Sequence, residues 1–279
     1  MGFNSESLGL PKGAETLLRD LVHERTGLFY ENGNFDLLIE KLAPLVVNRG
    51  FESFLDYYYL LKYDPASDDE WIRVLNALSV QETYFWREMD QINGFVEKIV
   101  PAYFASAREE PLRIWCAASA SGEEPLTIAM ALEEKRWFDR AHIEIFATDG
   151  SSKAIEKAQT GVYRDRAMRS LPMHLREKYF TKDDGGWRIV PRLKEKLRWD
   201  RVNLMDTSKI ASFANVPVIF CRNVFIYFSE NAIRKTVHAM AQRMATPGYL
   251  FVSVSESLLR ITTEFSLEEI GGAFVYVKR

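Results

Sequence analysis

The sequence predicts an α/β protein: a small all-helical domain, then a mostly parallel sheet with helices on both faces and a small inserted β subdomain. Three observations carry that prediction. Residues 14–78 hold only segments whose apolar side chains recur at spacings of three and four. Beyond Arg113, short apolar runs alternate with helical stretches. Residues 161–201 then interrupt the alternation with a turn-rich, charged stretch. With 279 residues and 47% hydrophobic content, the chain can bury one large core and one smaller one.

The helical region, residues 1–80, reads as "AETLLRDLVHERTG", "FDLLIEKLAPLVVNRG", "FESFLDYYYLLKYD" and "DDEWIRVLNAL", punctuated by Gly27, Gly50 and Asp64-Pro65. "SVQETYFWRE" opens the second domain, residues 81–279, and leads into a helix from about Gln91 to Arg108. Strands follow at "LRIWCAA", "HIEIFATD", "VPVIFCRN" and "YLFVSVSE", with helices from Glu123, over "SSKAIEKAQTG", and from Glu230 to Ala245. The insert, about 161–201, reads as a helix end, a hairpin at Asp184-Gly185-Gly186 and a strand. The final "AFVYVKR", after Gly271-Gly272, is expected to close the sheet edge antiparallel.

Composition narrows function by exclusion. A net charge of −3 points to neither a polyanion nor a membrane surface as partner. Cys116 and Cys221 lie inside apolar runs, as buried free thiols of a reducing compartment would, and no residues have metal-ligand spacing. "MGFNSESLGLPKG" lacks the basic and apolar regions of a signal peptide, and no apolar run approaches the ~18 residues of a membrane span. A cytoplasmic chain without membrane insertion is the expectation.

Ligands of open α/β sheets bind beyond the carboxyl ends of the strands, and three strand ends here carry candidate residues. The loop from Ala117 to Glu124 has one glycine, Gly122, among small residues, so backbone can approach a ligand without forming a phosphate cradle. Glu123 and Glu124 would repel a phosphate and suit hydroxyls, an ammonium or a sulfonium; beside Pro125 they equally suit a helix N-terminus. Asp149 closes the next strand, where an acidic residue grips ribose hydroxyls or caps the following helix. Arg222 and Asn223 end a third strand, with Tyr227 beyond them, and a guanidinium at that depth requires a partner. Together these describe a nucleoside site without a pyrophosphate cradle, which points to S-adenosylmethionine.

The stretches "ETYFWRE", "WCAASASGEEPLTIAM", "IFATDGS", "VNLMD", "FCRNVFIYF" and "ESL" followed by "GGAFVYVKR" resemble, in this order, the CheR-type chemotaxis receptor methyltransferases. The resemblance spans nearly the whole chain. It implies a Rossmann-like S-adenosylmethionine-dependent methyltransferase domain behind an all-α domain. It also implies methyl transfer to glutamate side chains of chemoreceptors, leaving methyl esters and S-adenosylhomocysteine. By this resemblance Gln81, Thr83, Arg87, Ala117, Glu123 and Glu124 contact the cofactor, as do Asp149, Asn203, Leu204, Arg222 and Asn223. Arg87 and Tyr227 face the transferred methyl. The chain departs from the family at Gln81 (usually Asn), at Trp86 (usually Phe), at Ser151 (Asp or Asn) and at Ser253-Val254 (Gly-His).

A glutamate acceptor is already ionised at neutral pH, so its methylation needs alignment and dryness rather than a general base. The scattered histidines, His23, His142, His174 and His238, fit that, since none pairs with a nucleophile. The implied partner is the helical cytoplasmic region of a methyl-accepting receptor or related sensor, with no nucleic acid and no metal. Another acceptor for the same cofactor, or a non-catalytic cofactor-binding regulatory module, is the alternative. In the family a basic helix of the first domain is thought to meet the receptor. Here residues 1–78 hold 7 Lys+Arg against 13 Asp+Glu, whereas 161–201 hold 12 against 6, so docking through Arg188, Arg192 and Lys194 of the insert is expected unless they form a solvated charged face.

Overall fold

The computed structural model describes residues 13–31, 34–106 and 110–279; the N-terminal stretch read above and the expected helix end near Arg108 lie outside them. Four helices form the first domain: α1 (Ala14–Thr26), α2 (Phe35–Asn48), α3 (Phe54–Tyr63) and α4 (Ser67–Leu78). Their apolar faces meet in a core built on Leu18, Val22, Leu42, Phe54, Tyr57 and Val74. Ser53 caps α3, its hydroxyl accepting from the Asp56 N–H at 3.2 Å. Glu70 of α4, 1% exposed, ties three helices together by accepting from Tyr57 Oη at 2.8 Å and Arg49 Nε at 2.6 Å.

The segment 79–88 crosses to the second domain and enters α5 (Met89–Gly94) and α6 (Val100–Ala105), joined through a wider π turn at Phe95–Ile99. Next come β1 (Leu112–Ala117), α7 (Glu123–Glu134), β2 (Ile143–Asp149) and α8 (Ser152–Thr160). The small antiparallel sheet is made of β3 (Val162–Tyr163), β4 (Phe180–Asp183) and β5 (Gly186–Ile189), with α9 (Met173–Tyr179) before β4 and α10 (Pro191–Lys194) after β5. The chain closes with β6 (Leu197–Arg201), α11 (Thr207–Phe213), β7 (Val218–Phe220), α12 (Glu230–Ala241), β8 (Gly248–Phe251), β9 (Ser266–Ile270) and β10 (Ala273–Lys278).

The main sheet has the order β6-β2-β1-β7-β8-β10-β9, with β10 antiparallel to both neighbours and the pairs from β6 to β8 parallel. Alternation along β1 supplies both faces: Ile114 and Cys116 join one core with Phe220 and Phe251, while Trp115 and Ala117 join the other with Ile219 and Leu250. Because the chain winds outward from β1 in one direction and from β7 in the other, the switch point lies between them. The loops after β1 and β7 therefore flank the natural ligand crevice.

Three elements differ from the sequence reading. "AFVYVKR" pairs antiparallel but is second from the edge, which Ser266–Ile270 occupies. Leu197–Arg201, read as part of the insert, runs parallel to β2 as the opposite edge of the main sheet. The helix from Glu230 ends at Ala241 rather than Ala245. No helix among the described residues is long and apolar enough to cross a membrane.

Candidate cofactor and active site

A cavity opens at the switch point, walled by the loops after β1, β2, β6 and β7 and by the crossing segment 79–87. The loop after β1 bends sharply, with positive φ at Ala118 (57°), Ala120 (47°) and Gly122 (94°). A Cβ on Gly122 would lie 2.7 Å from the Trp199 ring, so conformation and contact both demand glycine. Among the described residues, every non-glycine residue with positive φ except Arg136 belongs to segments around this cavity: Trp86, Glu88, Ala118, Ala120 and Asn223. Strained backbone held by its surroundings in this way gathers where precise placement matters.

Arg222, with its side chain 1% exposed, is the buried cation behind the wall. It reaches Glu88 at 2.9 Å and Glu124 at 3.1 Å and donates to the Arg87 carbonyl at 3.1 Å. Its Nε, like the buried Ser119 hydroxyl in the same wall, has no hydrogen-bond partner among the described residues. Burial works against the Glu88 carboxylate, but the Arg222 charge and hydrogen bonds from Arg222 and Ser253 hold its pKa below the ordinary value. Burial pushes Glu124 up, partly offset by Arg222, and the charges of Glu88 and Glu256 push the same way. Arg222 thus bridges two carboxylates, Arg87 adds a second cation 3.8 Å from Glu88, and Glu124 is the one of the two carboxylates that lines the cavity.

Asp149 sits across from this group on the β2 loop. Its oxygens accept from the backbone N–H of Ala120 at 2.9 Å and of Ser151 at 2.8 Å, while burial raises its pKa against both bonds. The cap of α8 is instead Ser151, whose hydroxyl accepts from the Ala154 N–H at 3.2 Å, so Asp149 is not consumed as a helix cap. Glu256, on the loop after β8, organises the β7 loop: its carboxylate accepts from the N–H groups of Asn223, Phe225, Ile226 and Ser253 at 2.7–3.3 Å.

The first domain completes the wall. Thr26 at the end of α1, Leu28 just beyond it, and Leu75 and Ser79 at the end of α4 line the cavity. Phe29 N–H donates to the Tyr227 carbonyl at 2.8 Å, and a Cβ on Gly27 would meet the Phe228 ring at 2.7 Å. Tyr227 is thereby fixed from below by Glu256 and from the side by the helical domain.

Gln81, Thr83, Arg87, Glu124, Asp149, Leu204, Arg222, Asn223 and Tyr227 all line this cavity. Asn203 lines it too, but its amide donates to the Arg25 carbonyl at 2.7 Å and accepts from Met205 N–H at 3.0 Å, which makes it a stitch between domains. Ala117 and Glu123 do not reach the cavity. Ala117 is fully buried within β1. Successive helical residues point about 100° apart, so Glu123 and Glu124 cannot face the same way. Glu123, 1% exposed, accepts from the Ser121 hydroxyl at 2.8 and 3.0 Å instead. Glu88, Ser119, Glu256 and the α1 and α4 residues were not singled out from sequence; Glu88, adjacent to Arg87 in "FWRE", was the one with a local signal.

The family model for the CheR methyltransferase SAM binding domain matches residues 81–273, and that for the CheR all-alpha domain matches 16–79. The chain therefore belongs to the CheR methyltransferase family. It is 32% identical over 263 residues to chemotaxis protein methyltransferase 2 of Vibrio cholerae, covering 93% of this chain and 91% of that protein. The chemotaxis protein methyltransferase of Vibrio parahaemolyticus is 32% identical over 262 residues (91% and 93%), and that of Borreliella burgdorferi 28% over 258 (90% of each). The chain is an S-adenosylmethionine-dependent methyltransferase, with S-adenosylhomocysteine as product. The wall fits that cofactor: the Glu124 carboxylate suits its ammonium and sulfonium, and Asp149 offers acceptor oxygens to hydroxyls.

Proposed function

We propose that this protein methylates glutamate side chains in the helical cytoplasmic region of a chemoreceptor or related sensor, giving methyl esters. The reading rests on one observation above others: Arg87 and Tyr227 share a wall with Glu124 and Asp149. When bound, S-adenosylmethionine supplies an electrophilic methyl group. Glu124, held by Arg222, holds the charged amino-acid portion; Asp149 takes the ribose hydroxyls; Gln81, Thr83, Leu204 and Asn223 frame the remainder.

Arg87 and Tyr227 then orient the acceptor carboxylate. Burial raises the Tyr227 pKa, with the Arg87 charge opposing, so the phenol keeps its proton and donates a hydrogen bond. Arg87 is restrained by its bond to the Glu82 carbonyl at 3.2 Å, which limits how tightly it can clamp the ground state. No general base is needed. The names of the relatives support chemotaxis as the setting.

Radiolabelled methyl transfer to a soluble chemoreceptor fragment tests this, with the label released by mild base as an ester's would be. Arg87→Ala and Tyr227→Phe should each lower turnover more than they lower cofactor affinity. A base-stable label would overturn the glutamate assignment. Full turnover in either variant would overturn that residue's role.

A further inference from the structure

The cations of the inserted region fall into two groups by position. Arg188 pairs with Asp183, Arg192 with Glu133, and Lys194 donates to the Gln159 carbonyl. Glu133 is nine residues along α7 from Glu124, so Arg192 sits about 13 Å down that helix from the cavity, at a rise of ~1.5 Å per residue. Neither these three residues nor their partners line the cavity.

Arg166 and Arg169 are placed otherwise. Both converge on Glu82, a residue of the cavity wall, at 2.6 Å and 3.0 Å. The Arg169 guanidinium lies 3.7 Å from the centre of the Tyr84 ring, to which Arg87 is the next cation at 5.4 Å. Around the mouth, then, Arg166 and Arg169 stand against the one carboxylate of Glu82, while Arg87 donates to the Glu82 carbonyl and pairs with Glu88 at 3.8 Å. Arg166 is 76% and Glu82 45% exposed, so water screens their pairing and the carboxylate can be exchanged at little cost. Glu82 is also not what holds the segment in place. Phe85 N–H donates to the Ala167 carbonyl at 2.9 Å, and Ala167 and Met168 are buried in the core.

We propose that Arg166 and Arg169 form a second carboxylate-recognition site, taking an acidic side chain of the substrate other than the one methylated, and that Glu82 occupies the site until the substrate docks. This rests on the reading of an acidic helical substrate. Carboxylates three or four residues apart on a helix lie within about 5–6 Å of each other, so one held by the arginine pair sets the register in which another meets Arg87 and Tyr227. Two guanidiniums give such a carboxylate directional, charge-assisted bonds that a diffuse basic surface would not.

The test uses the full chain, radiolabelled S-adenosylmethionine and a soluble fragment carrying the glutamate-rich helices of a methyl-accepting chemoreceptor. Reversing both charges, Arg166→Glu with Arg169→Glu, should raise the KM for the fragment roughly tenfold or more and flatten its salt dependence. S-adenosylhomocysteine affinity, read by calorimetry, should stay within about twofold, since neither side chain lines the cavity. Glu82→Gln should lower the KM about threefold, the opposite sign from a merely structural carboxylate. A wild-type chain that labels the fragment while the doubly reversed variant shows the same KM overturns this inference alone, as does a raised KM in Glu82→Gln. A wild type that labels no such fragment overturns the substrate reading and this inference with it.

Discussion

The helical domain and the cavity each bury a cluster of arginines and carboxylates, and the two balance charge in opposite ways. In the helical domain the buried group is the carboxylate of Glu70, served by Tyr57, Arg49 and Arg73, whose side chains extend outward until the arginines are 35% and 54% exposed. In the cavity the buried group is Arg222, and the two carboxylates around it, Glu88 and Glu124, keep 19% and 17% exposure. The first cluster leaves its excess cation in water, where hydration costs nothing. The second leaves the Glu124 carboxylate on the cavity wall, with Nε of Arg222 unpartnered among the described residues. A polar cluster that serves only the fold saturates its buried atom. One that leaves a buried donor unpaired beside a cavity-facing carboxylate is open to a ligand.

Removing the buried member of each cluster breaks or sharpens this contrast. Arg222→Met should cost about 3–5 kcal/mol in urea unfolding, because Glu124 loses its paired cation and Glu88 keeps only Arg87. It should also abolish measurable S-adenosylhomocysteine binding. Glu70→Gln should cost less, about 1–3 kcal/mol, since Arg49 and Arg73 can rehydrate and the main loss is the bond from Tyr57. Cofactor affinity should be unchanged there. Equal losses of stability and binding in both variants would erase the distinction between the clusters.

What could be read from the sequence was whatever one local segment carries. Asp149 and Arg222-Asn223 stand out because a polar residue ending an apolar run is conspicuous without any knowledge of its neighbours. Leu197–Arg201 reads as insert because Arg198, Asp200 and Arg201 give it the charge that edge strands carry along their unpaired side. Ser266–Ile270, the opposite edge, is mostly exposed and has no clean alternation to betray it. The choice between Glu123 and Glu124 depended on the rotation of a helix about its axis. The contribution of Thr26 and Leu28 depended on a contact with a loop some two hundred positions later. Neither leaves a trace in neighbouring letters.

Asp149 gives a third carboxylate environment and a smaller predicted effect. It has no cation, and its oxygens are held by backbone N–H groups at 2.8 and 2.9 Å, each with a further lone pair free. Asp149→Ala should weaken cofactor binding by about 1–3 kcal/mol, the range for losing a charged acceptor. Asp149→Asn should lose less, because the amide oxygen can still accept from one N–H and hold part of the loop. Unchanged affinity in the alanine variant would make Asp149 a loop fastener only.

The smallest effect expected is on pH dependence, and it follows from the same carboxylates. Burial raises the pKa of Glu124 and of Asp149, so each takes up a proton at a higher pH than an exposed acid would. Protonation removes the negative charge that a cationic ligand needs. Affinity for S-adenosylhomocysteine should therefore decline on acidification, beginning above the ordinary carboxylate range of about 3.9–4.3. On the alkaline side the raised Tyr227 keeps its proton, and none of the described cavity-wall residues is a histidine. Binding and turnover should hence show no histidine limb and no fall on the alkaline side from Tyr227 up to about pH 8.5, well below the ordinary tyrosine value of about 10. Glu124→Gln should move the acid limb of binding downward, leaving Asp149 to set it. Calorimetry across pH reads both, and an acid limb that stays put in the Gln variant would remove Glu124 from the set of ligand-facing charges.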